Sequence, residues 1–152
     1  MSEKIVRRAN TGYGWEDVER LAYKEAGGAV FRDITRQILF DDAPGASQWR
    51  YFEVAPGGHS TLERHEHVHA VMVLRGRGRC LVGDTVYALA ERDLVRVPPL
   101  TWHQFRADPD APLGFLCLVP AERDRPQLPD AQTRARLARD PAIAAFLGDE
   151  QP

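Results

Sequence analysis

Pro56-Gly57-Gly58-His59-Ser60-Thr61-Leu62-Glu63-Arg64-His65-Glu66-His67-Val68-His69-Ala70-Val71-Met72-Val73-Leu74-Arg75-Gly76 is the stretch whose reading decides the fold. Four of the chain's five histidines lie in it, and three of them alternate behind Glu63. In an extended strand every second side chain points to the same face. Glu63, His65, His67 and His69 are therefore predicted on one side, with Arg64, Glu66 and Val68 on the other. Imidazoles and a carboxylate gathered this densely are what a first-row divalent metal requires. The competing reading is a row of solvated histidines on an exposed strand; three of them alternating with a glutamate, inside an otherwise apolar sheet protein, favour the metal.

Outward from this stretch, residues 29 to 119 read as short strands broken by Gly, Pro and Asp. Trp49-Arg50-Tyr51-Phe52-Glu53-Val54 alternates and is aromatic-rich, which suits a half-buried strand, and Pro56-Gly57-Gly58 is expected to break it. Leu62 to Leu74 reads as one extended segment ending at Gly76. Cys80-Leu81-Val82 and Thr85-Val86-Tyr87 flank a tight turn at Gly83-Asp84. Further strands are expected over Asp93 to Val97, His103 to Arg106 and Leu113 to Val119. Such spacing points to an antiparallel sandwich or barrel rather than to alternating βαβ units. Residues 1–28 form an N-terminal extension, either a short helix lined by Trp15, Val18, Leu21 and Ala22 or an extended segment. The barrel is expected over 29–122 and a helical tail over 123–152. In the tail Asp130 caps one helix running to Ala138. Asp140-Pro141 starts a second helix, which Gly148 stops.

The length of 152 residues fits a single domain. A formal net charge of -2, with 20 basic and 22 acidic residues, argues against a nucleic-acid or membrane-surface partner, which would show as a clustered positive field. The alternating Arg75, Arg77 and Arg79 read as a solvated strand face. Residues 1–8 carry no apolar secretory stretch, and no run approaches a membrane span. Two cysteines, Cys80 and Cys117, in no paired motif fit a reducing compartment, so a cytoplasmic location is expected.

The same residues resemble the cupin superfamily. Pro56-Gly57-Gly58, the histidine cluster and Gly76 are similar to its first motif. Arg92-Asp93-Leu94-Val95-Arg96-Val97-Pro98-Pro99-Leu100-Thr101-Trp102-His103 is similar to its second. The resemblance implies an all-β, cupin-type antiparallel jelly-roll β-barrel with a short C-terminal helical tail. It further implies one divalent transition metal ion (Mn, Fe, Co, Ni or Zn) inside it. Counting back from Gly76 places the motif's acidic ligand position on His69 and its two histidine positions on Glu63 and His65. The implied ligand set is then Glu63, His65, His69 and His103, with His67 as a substitute ligand or an inner-pocket hydrogen-bonding group. Taking His65 and His67 as the histidine pair instead leaves Val71 at the acidic position, where it cannot coordinate. Arg92 and Leu100 stand where the second motif has glycines, and Ala107 where it often has asparagine.

Phe105, two residues after His103, is expected to face the same interior and help make a dry pocket. His59 is expected at the surface, and Cys117 as a buried, inert thiol. No Gly-rich phosphate loop and no serine nucleophile motif is present. The leading functional expectation is a metal-dependent enzyme of dioxygenase, isomerase or lyase type acting on a small polar organic molecule. The alternative is a non-catalytic module binding a small ligand or the metal. Family resemblance also implies a homodimer built through sheet edges.

Overall fold

A strand that is to serve two sheets must turn a corner, and the glycines of this chain sit where the corners fall. The structure, a computed structural model, describes residues 5–24, 30–43 and 45–148. The elements follow as β1 (Arg20–Ala22), β2 (Arg32–Ala43), β3 (Ser47–His59), β4 (His69–Val82), β5 (Thr85–Ala90), β6 (Leu94–Val97), β7 (His103–Ala107), β8 (Leu113–Pro120), α1 (Ala131–Leu137) and α2 (Pro141–Leu147). Residues 1–4, 25–29, 44 and 149–152 of the expected extension, barrel and tail lie outside the described residues.

Every pairing is antiparallel, and the sheet closes on itself. β3 pairs β8, β8 pairs β4, β4 pairs β7, and β7 returns to β3 through His59 and Arg106. β1 and β2 extend the β3 edge, while β5 and β6 flank β4. The result is the closed all-β jelly-roll barrel that the sequence predicts.

β4 carries this closure. Its first half, His69 to Val73, pairs with β6 and β8, and its second half, Arg77 to Val82, pairs with β5 and β7. Between them the register slips at Val73/Arg75, and Gly76 takes φ +70°. A Cβ on Gly76 would stand 1.8 Å from the Pro112 carbonyl oxygen, so only glycine fits the corner. Sequence reading ends the strand there; the structure bends it and continues. Likewise Pro56-Gly57-Gly58 does not break β3 but bulges it, with Gly57 at φ +77° and the strand running on to His59.

The histidine stretch itself is not the strand that its alternation predicts. Residues 60–68 form no continuous strand: they run as a loop with single bridges at Glu63–His103 and Arg64–Gln127, and β4 begins only at His69. The premise of strict alternation therefore fails over the residues it was applied to. In the N-terminal segment the extended alternative holds. β1 pairs β2, Ala9 bridges Trp15, and Tyr13 and Trp15 pack on Tyr51 with ring centroids 6.1 and 5.1 Å away. Arg75 pairs with Glu53, and Arg77 pairs with Asp108 and Asp110.

Inside the barrel, Phe52, Val54, Val71, Val73, Phe105, Leu113 and Phe115 form the main apolar cluster. Outside it, α2 docks through Ile143, Phe146 and Leu147 onto Leu62, Leu81 and Trp102. Its start is fixed by Asp140, whose carboxylate accepts from the Ala142 and Ile143 amides at 2.8 and 3.3 Å. α1 buries no residue and serves to carry the chain to α2. Phe146 is 1% exposed, and truncating so buried a ring costs about 3 kcal/mol. Phe146→Ala is expected to lower the denaturation midpoint accordingly with the barrel retained. A midpoint unchanged in urea titration would show that the tail does not hold to the barrel.

Candidate metal centre

Two backbone hydrogen bonds fix the ligand loop to the barrel. The Glu63 amide donates to the His103 carbonyl at 3.1 Å, and the His103 amide donates to the Glu63 carbonyl at 3.0 Å. This bridge sets the loop beside the first residue of β7, while His69 arrives as the first residue of β4. His65, His69 and His103 each offer a ring nitrogen, and these atoms lie within 4.8 Å of one another. Ring centroids are 4.3 Å apart for His65–His69, 4.8 Å for His65–His103 and 5.3 Å for His69–His103.

The hydrogen bonds around the rings set their chemistry. His65 Nδ1 lies 2.7 Å from the His67 carbonyl oxygen, and His103 Nδ1 lies 2.9 Å from the Thr101 carbonyl oxygen. A carbonyl only accepts, so each Nδ1 carries the proton and each Nε2 keeps a bare lone pair. His65 Nε2 is buried with no hydrogen-bond partner. An orphaned acceptor in this setting, its ring steered by a backbone carbonyl, is the arrangement of a metal-ligating histidine. Burial pushes His65 down to about 4 from an ordinary 6.5, with the neighbouring His103 and His67 adding to the shift. Burial, and then His103, also holds His69 well below its ordinary value, and burial lowers His103. All three are neutral at pH 7, the form that binds metal. The donor set fits a divalent transition metal.

The remaining sequence-predicted residues divide. Glu63 is 6% exposed and lines the same cavity, but its Oε2 accepts from Lys24 Nζ and it does not join the imidazole group. His67 stacks flat on His65, with centroids 3.7 Å apart and planes 6° apart. Its Nδ1 is bonded to Asp124 Oδ1 at 2.7 Å. Asp124 also accepts from the Glu66 and His67 amides at 2.7 and 3.1 Å, which holds its carboxyl well below the usual range. His67 thus lines the same cavity, stacked on His65, with its Nδ1 tied to Asp124. Phe105, 3% exposed, lines the cavity and stacks on Phe115 at 4.6 Å. His59 is not at the surface: it is 2% exposed, with Nδ1 on the Ser60 carbonyl at 2.9 Å.

The imidazoles open into a cavity of about 190 Å³ whose walls combine Phe52, Phe105 and Phe115 with Cys117, expected as a buried thiol, and with several polar groups that the sequence reading did not single out. Cys117 is there, its Sγ 3.6 Å from Arg50 Nη2. Burial pushes this thiol up, and the Arg50 charge opposes that. Tyr23, Lys24, Arg36 and Arg123 complete the polar rim. Arg50 was discoverable: it shares strand parity with Phe52 and Val54, which puts a charge on a core face. Asp124 and Arg123, in the irregular chain after β8, carry no periodic signal.

Comparisons with known proteins agree with this geometry. Residues 50–119 match the family described as "Cupin domain". The chain is 58% identical over 145 residues to the 1-methylthio-D-xylulose 5-phosphate methylsulfurylase of Rhodospirillum rubrum, spanning 95% of this chain and 93% of that protein. A crystal structure of a cupin 2 conserved barrel domain protein from Rhodopseudomonas palustris superposes with TM-score 0.86 at 54% identity, over 93% of this chain and 97% of that one. A cupin-2 domain structure from Rhodospirillum rubrum does so with TM-score 0.85 at 54% identity, over 95% and 97%. The polyketide cyclase RemF from Streptomyces resistomycificus, at 21% identity and TM-score 0.70 over 95% of this chain and 98% of that one, shares the fold. This chain belongs to the cupin family.

Proposed function

We propose that this chain is a metal-dependent enzyme that removes the methylthio group of 1-methylthio-D-xylulose 5-phosphate. The observation that carries the reading is the 58% identity to the R. rubrum methylsulfurylase over nearly the whole of both chains. The cavity supplies the two chemical parts that such a reaction needs. One is a set of neutral imidazoles for a divalent metal, His65, His69 and His103. The other is a thiol in the same cavity, Cys117, beside a guanidinium.

Sulfur transfer from carbon to a thiol balances as follows. The Cys117 thiolate attacks the methylthio sulfur, an S–S bond forms and the bond from sulfur to C1 breaks. Its electron pair passes to C1 and into the C2 carbonyl as an enolate, and a proton taken up at C1 gives the 1-deoxy ketose phosphate. C1 is reduced, and Cys117 is oxidised to a methyl disulfide. A small-molecule thiol then attacks that disulfide, carries off the methylthio group as a mixed disulfide and returns Cys117 to the thiol. A divalent metal held by the three histidines supplies, when bound, positive charge for the negative oxygen that develops. Arg50 holds the thiolate through its charge, and Phe52, Phe105 and Phe115 keep water from competing. This is a group transfer, a class other than the dioxygenase, isomerase and lyase types expected from the dense ligand set.

Three tests follow from the reading. The purified chain, reconstituted with Mn, Fe, Co, Ni or Zn, is expected to hold about one ion per chain. His65→Ala, His69→Ala and His103→Ala should each lose it, as elemental analysis reads, and Glu63→Ala and His67→Ala report whether either completes the shell. Retention of metal by all three single-histidine variants would remove the site.

The metal-free chain carries a pH signature with a definite sign. Because the folded pKa of His65 is depressed to about 4 from 6.5, the unfolded state takes up the proton first on acidification. The stability contributed by the neutral ring is complete above pH 6.5 and is lost as pH falls through about 4. Urea titrations across this window should show His65→Gln flattening the slope; an unchanged slope would assign the acid lability elsewhere.

Cys117→Ser should keep its metal while release of the 1-deoxy ketose phosphate, followed with a small-molecule thiol present, falls by at least about a thousandfold. Tight binding of the substrate by wild-type chain without any product would turn the reading to a binding protein.

A further inference from the structure

Around the cavity four cations, Lys24, Arg36, Arg50 and Arg123, face one carboxylate, Glu63, which Lys24 already engages. Arg50 is the informative member. It is 8% exposed, on the inner face of β3, with its guanidinium 5.0 Å from the Phe52 ring centroid. Nη2 meets only the Cys117 sulfur, at 3.6 Å, and Nε is buried without any hydrogen-bond partner. Among the described residues no carboxylate pairs with it. A buried guanidinium cannot shed its proton and is costly unless an anion accompanies it.

Arg123 is aimed at the same space from the chain after β8. It is held there by its Nη1, which donates to the Pro120 and Ala121 carbonyls at 3.2 and 3.3 Å, and by Nη2, which donates to Gln48 Oε1 at 3.3 Å. Arg36 on β2 lies opposite Phe52, two pairs along from Arg50. Burial lowers the Arg123 pKa, and the charges of Arg50 and Arg36 lower it further, so the three cations stand close enough to repel. Like charges assembled at a cavity wall are stable when the ligand brings the counter-charge.

We propose that Arg50 and Arg123, with Arg36 beside them, form an anion subsite that takes the phosphate monoester of the substrate. The planar guanidinium fork matches phosphate oxygens two at a time, which a lysine does not. The need for an anion follows from Arg50, buried without a paired carboxylate among the described residues; its identity as a sugar phosphate rests on the function proposed above. The subsite makes this barrel select phosphorylated over free methylthio sugars.

The test uses the full chain after chelator treatment, with inorganic phosphate as probe, so that no metal competes for it. Calorimetry on wild type should show saturable orthophosphate binding, weakened at least about tenfold in Arg123→Gln and in Arg50→Gln. Arg125→Gln, which does not line the cavity, serves as control and should bind as wild type does. Arg123 is exposed, so Arg123→Gln keeps the test open should Arg50→Gln fail to fold. In the metal-loaded chain, Arg123→Gln should raise KM for 1-methylthio-D-xylulose 5-phosphate at least about tenfold with a smaller change in kcat. Absence of orthophosphate binding, or equal binding by Arg123→Gln, overturns the subsite even if turnover is intact. Orthophosphate binding that the two variants lose, in a chain that does not turn the sugar phosphate over, leaves the subsite standing and removes the proposed reaction.

Discussion

One strand belongs to both halves of this barrel, and the rest of the molecule depends on its bend. β4 gives its first residues to β6 and β8 and its last to β5 and β7. The bend is possible because Gly76 adopts φ +70° against the Pro112 carbonyl. Closing the sheet removes edges that would otherwise invite pairing with other chains. It also decides where chemistry can occur. His69 starts β4 and His103 starts β7, so a loop pinned between Glu63 and His103 can bring His65 to both.

Within that frame the cavity separates neutral from charged nitrogen. The imidazoles are kept unprotonated by burial, and two of them are oriented by carbonyl oxygens. The guanidinium groups cannot respond to burial in that way and remain cations. One wall therefore offers lone pairs and the other offers positive charge. A metal ion is attracted to the first and repelled by the second, so a cation and an anion bound together each lower the cost of holding the other.

The sequence made the barrel legible because turn chemistry and strand composition agreed along residues 47 to 120. The hairpin at Gly83 and both helix caps, Asp130 and Asp140, fall where the residues predict. What it hid follows from one physical fact: periodicity describes regular backbone only. Residues 60–68 are irregular, so alternation gave the wrong backbone there, although Glu63, His65, His67 and His69 still line one cavity; what alternation could not show is that Glu63 is engaged by Lys24 and His67 by Asp124. Counting back from the glycine at the β4 corner and strand alternation both bring His65 and His69 together; the count runs on regular strand only as far as His69. The glycine corners at Gly57 and Gly76 read as breaks because local sequence cannot distinguish a bend from an end.

Cys117 and Arg50 show how the two walls meet. A thiol buried among aromatic rings is protonated and unreactive, which is why composition alone reads it as inert. Among the described residues, the Arg50 Nη2 beside it supplies the hydrogen bond that opposes burial. That same guanidinium keeps its Nε without a partner and faces the cavity. One cation cannot neutralise a thiolate and a phosphate dianion together, so a ligand drawing on Arg50 alone would raise the thiol pKa and silence it. If Arg36 and Arg123 share the anion with Arg50, the guanidinium of Arg50 keeps part of its charge for the sulfur. On the proposed reading, the number of arginines at this wall would answer two separate demands, one from binding and one from reactivity.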